Sequence, residues 1–265
     1  MGMKTGVLFG GVLLLGCGGS GDSEFHPDGS DGIDTGLIGN NDSGLNNGDG
    51  GNNLDGGCDP NFTGMLRDFH DTHPDFEKFL GDDRGIVKVD LGADSKPVYA
   101  SSTTTPTTTG KANFDQWYRD TQGVNSPLVF TLPVTKNMTG GVVFDDPMFF
   151  PLDGKGFGNE GRNHNFHFTF ELHTEFSYKG GEVFKFTGDD DVFVFINKKL
   201  AVDLGGVHAA ESITINLDQL ATMLNIVKGS TYDFAIFQAE RHTTESNFRF
   251  ETSIGFTNCN PILPK

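Results

Sequence analysis

The stretch "HNFHFTFELHTEF" at residues 164–176 decides the fold, because its apolar and polar residues alternate with few interruptions. One face of this stretch would carry Phe166, Phe168, Phe170 and Leu172, and the other His167, Thr169, Glu171 and His173. A period of two residues is that of a β-strand, and one apolar face indicates that one side of the sheet is covered. We therefore predict a half-buried strand at this position.

Other segments extend the same pattern. Residues 182–187 ("EVFKFT") and 247–256 ("NFRFETSIGF") alternate, whereas residues 192–196 ("VFVFI") are apolar on both faces, which predicts a strand enclosed between two layers. Short helices are predicted at residues 74–80, within 112–120, and around Leu217, Leu220 and Leu224 with an end before Lys228. Residues 101–110 ("SSTTTPTTTG") are predicted to form a surface loop. The expected fold is all-β, an antiparallel β-sandwich with a few short covering helices.

Charge excludes one class of partner. The chain of 265 residues has 36 Asp and Glu against 19 Lys and Arg, a formal net charge of -17. A phosphate backbone would be repelled by such a protein, so we expect no nucleic-acid partner. An acidic surface suits an exported protein or one that gathers cations.

The N-terminus is typical of an export signal. Lys4 precedes an apolar run at residues 6–16 that is too short to span a bilayer. Residues 14–17 ("LLGC") resemble the bacterial lipobox, which implies cleavage before Cys17 and lipid attachment to that residue. The alternative is a plain secretory peptide with an unrelated cysteine. Gly18 in place of Asp favours the outer membrane or cell surface over the inner membrane.

The two remaining cysteines, Cys58 and Cys259, bracket the rest of the chain. Outside a reducing cytosol they can form a disulfide, and closing so long a loop would stabilise the fold by roughly 4 to 5 kcal/mol. The alternative is two free thiols. The predicted organisation is a signal peptide at 1–16, a lipidated Cys17 with a Gly-, Asp- and Asn-rich linker to residue 57, and one domain at 58–265.

Five separated motifs within residues 62–256 resemble, in the same order, those of the fibro-slime domain family. They are "TGMLRDFHDTHPDFE", "FDQWYRDTQGVN", "NHNFHFTFELHTEF", "FTGDDDVFVFINKKLAVDLGGVH" and "AERHTTESNFRFETS". That family is related to the protective-antigen-type β-sandwich of adhesins, toxins and glycosidase accessory modules. The resemblance implies a jelly-roll-like sandwich in an exported protein.

The resemblance also implies a metal site. It places Asp189 and Asp190 on the paired aspartates that, in lectin-like members of the wider clan, are joined by a cis peptide and bind calcium. Asn247 is the best match to the asparagine that a later loop adds in those lectins. This chain departs from the clan where Asp191 replaces a glycine and where Asn197-Lys198 replaces an Asp-Gly turn.

Charge crowding at Asp189, Asp190 and Asp191 supports Ca²⁺ without any resemblance. Adjacent carboxylates repel one another, and calcium takes six to eight oxygen ligands of this kind. The alternative is a solvated turn in which Asp191 pairs with Lys198, Lys199 or Arg241 while the other carboxylates cap backbone amides.

Further polar residues are candidates for ligand contact. Glu240, Arg241 and His242 open the polar loop "ERHTTESN", which can bind sugar hydroxyls or can lock the aspartates through Arg241. Asp191, Asp203 and His208 complete the predicted ligand-binding set, with Gly205-Gly206 supplying a tight turn. A transition-metal site is a weaker hypothesis, because His167 and His173 would lie roughly 20 Å apart along one strand.

No catalytic motif for a serine hydrolase, zinc protease or phosphate-binding enzyme occurs in the sequence, so we expect no enzyme. The predicted function is a lipid-anchored cell-surface module that binds an extracellular glycan or matrix polymer with calcium support. The alternative is a structural slime or envelope protein that assembles through protein contacts, including self-assembly, without recognising sugar.

Overall fold

The computed structural model describes residues 61–138 and 140–258, all of which belong to one compact unit, Gly50–Lys265. No helix among these residues is long and apolar enough to cross a bilayer. Cys17, Cys58 and Cys259 lie outside the described residues, as do the segments 1–16 and 17–57. The lipid anchor, the disulfide and the domain boundaries therefore stay predictions.

Strands dominate the described chain. The strands are β1 (Asn61–Phe69), β2 (Gly81–Asp82), β3 (Asn125–Pro133), β4 (Thr135–Lys136), β5 (Val142–Asp146), β6 (Phe168–Ser177), β7 (Val183–Gly188), β8 (Asp191–Ile196), β9 (Lys199–Leu204), β10 (Gly206–Val207), β11 (Glu211–Asn216), β12 (Thr231–Glu240), β13 (Phe248–Thr252) and β14 (Phe256–Asn258). The helices are α1 (Lys111–Phe114) and α2 (Leu217–Leu224).

Two antiparallel sheets form the sandwich. The large sheet has the order β3-β1-β6-β12-β8-β9, with β14 also paired to β6, and the small sheet has the order β11-β7-β13-β5-β4. A separate two-stranded pair joins β10 to β2. This architecture confirms the predicted fold class.

Phenylalanines fill the space between the sheets. The ring centroids of Phe170 on β6 and Phe248 on β13 are 5.8 Å apart, and those of Phe234 on β12 and Phe184 on β7 are 5.4 Å apart. Each fully buried Phe stabilises the fold by roughly 1.5 to 3 kcal/mol relative to an exposed one. All six residues of β8 are buried, as predicted for a strand enclosed on both faces.

The prediction that one face of β6 is exposed is wrong. His167, Thr169 and Glu171 are at most 2% exposed, because residues 70–124 fold over the outer face of the large sheet. Thr169 Oγ1, for example, donates to the carbonyl oxygen of Trp117 at 2.5 Å in this cover. The alternating polar residues of β6 therefore form hydrogen bonds with the covering segment 70–124 instead of facing water.

The helix predictions had mixed outcomes. Helix α2 contains the three leucines that predicted it and ends before Lys228, as expected. It begins with Asn216 Oδ1 accepting from Asp218 N at 2.9 Å, and it ends before Asn225 in the left-handed conformation. Residues 74–80 form turns instead of a helix, and Glu77 has a φ of 55°, which no α-helix accommodates. Helix α1 is only four residues long.

The segment 101–110 is not wholly a surface loop. Thr107 and Thr108 are buried in it, while its other residues are exposed or half-buried. Tyr99 and Thr108 share a hydrogen bond of 2.6 Å between their hydroxyl oxygens. This burial brings the loop against the end of the sandwich that carries the three adjacent aspartates.

Candidate cation and ligand site

Asp189 and Asp190 connect the two sheets of the sandwich. Strand β7 of the small sheet ends at Gly188, and β8 of the large sheet begins at Asp191. The Asp189-Asp190 peptide bond is cis, as the resemblance implied. The two carboxylates are therefore held at one end of the sandwich by strands on both sides.

Asn247 binds Asp189 through both its backbone and its side chain. Asn247 N donates to Asp189 Oδ1 at 2.6 Å, and Asn247 Nδ2 donates to Asp189 Oδ2 at 2.7 Å. Asp189 N in turn donates to the carbonyl oxygen of Asn247 at 3.3 Å. Gly188 allows this approach, because a Cβ at that position would lie 2.4 Å from the same carbonyl oxygen. Asn247 thus contacts Asp189 directly, and Asp190 is the next residue along the chain. The structure therefore brings together the three residues predicted to bind a metal.

Arg241 locks the third aspartate. Its Nε donates to Asp191 Oδ2 at 2.6 Å, and its Nη1 donates to the carbonyl oxygens of Asp75 at 3.0 Å and Thr107 at 2.8 Å. The guanidinium carbon lies 4.6 Å from the ring centroid of Trp117. Arg241 and Asp191 are both 0% exposed. The contacts of Arg241 therefore match the predicted lock on the aspartates and leave its guanidinium no access to sugar hydroxyls.

Glu240 lies beneath the aspartate pair. Ala239 pairs with Asp191 at the end of the register of β12 and β8, so Glu240 lies one residue beyond that pair, near Asp190. Arg241 N donates to Asp190 Oδ2 at 3.1 Å across the same strand ends. Glu240 is 0% exposed, and so cannot contact a ligand in solvent as predicted.

Several oxygens in this cluster have no donor. Within the described residues, both carboxylate oxygens of Glu240 and Oε1 of Gln238 are buried without a hydrogen-bond partner. Gln238 Nε2 donates to the carbonyl oxygen of Asp189 at 3.3 Å. A buried acceptor that lacks a donor costs roughly 1 to 3 kcal/mol, and an ionised one costs more.

Burial and mutual repulsion act on the carboxyls of this cluster. Burial raises the pKa of Asp190 well above its usual range, against the opposing charge of Arg241. Burial and then the charges of Asp190 and Asp189 raise the pKa of Glu240 in the same direction. Burial also raises the pKa of Asp189, although two hydrogen bonds from Asn247 oppose the shift. The cluster gathers more acidic groups than its guanidinium can neutralise, and protons or a cation must balance them.

The donor set fits calcium. Carboxylates of Asp189 and Asp190, an amide side chain at Asn247 and unpartnered oxygens nearby form an oxygen-rich set of the kind that calcium binds. Within residues 61–138 and 140–258, no thiol or imidazole forms a hydrogen bond with the side chain of Asp189 or Asp190. The chemistry therefore favours a hard cation over a transition metal.

A cavity of about 320 Å³ opens beside the aspartate pair. It is lined by Leu80, Asp189, Asp190, Val207, His208, Ala209, His242, Thr243, Thr244 and Glu245. His208 and His242, two members of the predicted ligand-binding set, are thus part of the cavity wall. Asp203 lies elsewhere, since its two carboxylate oxygens accept from Gly85 N at 2.8 Å and Gly205 N at 3.0 Å.

The histidines do not converge on one ion. His164 contacts Asp153, His167 contacts Glu77, and His173 contacts Glu171, each through a separate pair of atoms. His208 lies with Asp82 and Glu211, whose ligand atoms are within 4.8 Å of one another. Arg84 already donates to both His208 and Glu211 in that group. These contacts favour structural hydrogen bonding.

Three residues of the site were missed in the sequence. Trp117 stacks on Arg241, Thr107 accepts from it, and Gln238 contacts the carbonyl oxygen of Asp189. Trp117 had been assigned to a helix face, and Thr107 to a surface loop. Gln238 offered a signal, because it is a polar residue within the apolar run of β12.

Comparison with known proteins adds family relationships. The family model described as "PA14 domain" matches residues 145–264. Protein psiQ of Dictyostelium discoideum is 41% identical over 189 residues, which are 66% of this chain and 19% of psiQ. Protein psiD of the same organism is 38% identical, over 65% of this chain and 36% of psiD. The chain thus spans only about a fifth to a third of these relatives' lengths.

Solved structures are more distant. A "PA14 sugar-binding domain from RTX adhesin" has a TM-score of 0.31 and 8% identity, covering 73% of this chain and 90% of that domain. The Epithelial Adhesin 9 A domain of Candida glabrata, solved with Galb1-3GlcNAc, has a TM-score of 0.32 and 13% identity, covering 74% and 85%. Scores this low carry no argument about the site. Residues 145–264 match a PA14 domain, and the chain is homologous to the Dictyostelium psi proteins over about two thirds of its own length.

Proposed function

We propose that this chain is a calcium-supported adhesion module that binds an extracellular glycan or matrix polymer. The observation that carries the proposal is the Asp189-Asp190 pair, which Asn247 holds through two hydrogen bonds to Asp189 beside a cavity. The PA14 match and the fibro-slime resemblance support the same class of protein. The proposal assigns no catalytic step to the chain.

Asp189, Asp190 and Asn247 would hold the cation. Calcium supplies positive charge and accepts hydroxyl oxygens as ligands when it is bound. His242 and Glu245 on the cavity wall offer hydrogen-bonding groups for a polar ligand. Leu80 and Val207 offer apolar surface, which suits the C–H faces of a sugar ring.

A glycan array probed with and without chelator tests this function. We expect binding of discrete glycans in calcium, loss of that binding in chelator, and loss in the Asp189→Ala/Asp190→Ala variant. A silent array together with discrete protein cross-links on cells would contradict sugar recognition and would instead support the structural slime or envelope role.

We also propose that the module is held at the outer membrane or cell surface by lipid on Cys17. The lipobox-like residues 14–17 and the Gly-rich segment 18–57 support this location, the latter as a tether spanning roughly 35 Å on average. Metabolic labelling with a radiolabelled fatty acid should mark the full chain and fail to mark Cys17→Ser. Equal release of both forms into the medium would contradict the anchor.

A further inference from the structure

We propose that Glu240 is an additional ligand of the bound cation, reaching it from the interior of the sandwich. The site would then have a third carboxylate besides Asp189 and Asp190. This inference rests on the proposed calcium site and extends it to a residue that no solvent-exposed ligand can touch.

The register of the strands places Glu240 at the site. Asp191 is opposite Ala239 in the last pair of β8 and β12, so Asp190 and Glu240 are the residues that follow this pair on the two chains, and the charge of Asp190 acts on Glu240. Directly opposite residues of antiparallel strands point to the same face, with Cβ atoms roughly 5 Å apart. Phe234 and Ile236 lie on this face of β12 within the core between the sheets, and by alternation Glu240 follows them.

Glu240 has no protein partner that explains its burial. Its side chain is 0% exposed, and within residues 61–138 and 140–258 neither of its oxygens accepts a hydrogen bond. Ser246 is the nearby donor: a hydrogen bond from its side chain would lower the pKa of Glu240, but its hydroxyl donates instead to the carbonyl oxygen of Phe149 at 2.8 Å. A carboxylate that is buried without any donor is rare in folded proteins, and a metal ion is one of the few partners that satisfies it.

Arg241 does not neutralise Glu240, although it is the next residue. Its side chain projects to the opposite face of β12, where it donates to Asp191, to the carbonyl oxygen of Asp75 and to Thr107. The inner face therefore collects Asp190 and Glu240 while the guanidinium lies on the outer face. A cation between these two carboxylates would satisfy both.

Gln238 fits the same arrangement. Its Oε1 is a third buried oxygen without a donor, two positions before Glu240 on the same face of β12. Amide oxygens are ordinary calcium ligands or bind a metal-bound water. Within the described residues, three buried oxygens without a donor, one of Gln238 and two of Glu240, thus lie on this face, which matches the preference of a hard cation for oxygen ligands.

Calorimetric calcium titration of Glu240→Gln, with Glu175→Gln as the matched control, tests the proposal. Glu175 lies opposite Asp233, at the far end of the β12-β6 pair, so its substitution removes the same charge away from the site. We expect calcium affinity to fall by about thirtyfold or more in Glu240→Gln and to change by less than about threefold in Glu175→Gln. Equal affinities in Glu240→Gln and wild type would overturn the proposal.

Thermal unfolding separates a ligand from a structural carboxyl. In chelator we expect Glu240→Gln to melt no lower than wild type, because the substitution removes an unpaired buried acid, while the calcium-dependent rise in Tm shrinks. A lower Tm in chelator with an unchanged calcium-dependent rise would contradict the role. If Glu240→Gln fails to fold, Glu240→Asp is the second variant, because it keeps the carboxylate but shortens the side chain by one methylene. Unchanged calcium affinity in Glu240→Asp would also overturn the proposal.

The same titration distinguishes this inference from the proposed function. Wild-type protein that takes up no calcium contradicts both. Calcium binding that is lost in Asp189→Ala/Asp190→Ala but retained in Glu240→Gln supports the aspartate site and overturns the role of Glu240 alone.

Discussion

Arg241 Nε lies 2.6 Å from Asp191 Oδ2, in an ion pair whose two side chains are both 0% exposed. The pair joins the residue after β12 to the first residue of β8, and Asp191 also accepts from Gly206 N at 2.7 Å. Asp191 is thus occupied by protein donors. Asp189 and Asp190 are left to face the cavity, although the three carboxylates are adjacent in sequence.

Removing Arg241 should destabilise the fold strongly. Arg241→Met leaves Asp191 Oδ2 and the Asp75 and Thr107 carbonyl oxygens without the guanidinium donor and the Asp191 charge without its partner, and we expect a loss of about 3 to 5 kcal/mol in the free energy of unfolding. Urea denaturation measures it. The double variant Asp191→Ala/Arg241→Met should recover part of the loss, and a loss below about 1 kcal/mol in the single variant would contradict the lock.

Acid should weaken the buried network around Glu171. Burial alone would raise its pKa, but the hydrogen bond from His173 and the charges of Lys96 and Arg67 lower the pKa of Glu171 to about 2. Because the pKa of Glu171 is lower in the folded than in the unfolded protein, its ionised carboxylate stabilises the fold at any pH above the unfolded-state pKa. This stabilisation is lost as the pH falls through the folded-state pKa. The full contribution is about 3 kcal/mol.

The measurement is the difference in unfolding free energy between wild type and Glu171→Gln across acidic pH. We expect the difference to be full above about pH 4.5 and to shrink steadily toward about pH 2, where the wild-type carboxyl becomes neutral as the amide is. A difference that stays constant over this range would show that Glu171 is not ionised in the folded protein.

Sequence patterns located four of the strands, β6, β7, β8 and β13, but not the inside of the site. Alternation predicted β6, β7 and β13, and leucine spacing predicted α2, because these signals are local. Glu240 is buried because Ala239 pairs with Asp191, a residue 48 positions away. A local pattern does not show this pairing, so the polar run that begins at Glu240 was predicted to be an exposed loop. Burial of Glu171 likewise depends on residues 70–124, whose cover leaves no periodic signal.

Gly188 should tolerate no side chain. A Cβ there would lie 2.4 Å from the carbonyl oxygen of Asn247, which is backbone and cannot move aside easily. We expect Gly188→Ala to cost about 1 to 3 kcal/mol and to weaken calcium binding by separating Asn247 from Asp189. Gly255→Ala is the control, because its Cβ would meet nothing within 4 Å. Equal stability of the two variants would contradict the close packing of the site.

Isothermal titration of the protein with calcium tests the cation site most directly. Wild type should bind about one calcium with a Kd of 1 mM or tighter, as expected for extracellular modules. Asp189→Ala/Asp190→Ala should lose this binding, while Asp145→Ala/Asp146→Ala, which removes another adjacent pair at the end of β5, should keep it. Absence of binding by wild type at millimolar calcium, or equal binding by both double variants, would contradict the site.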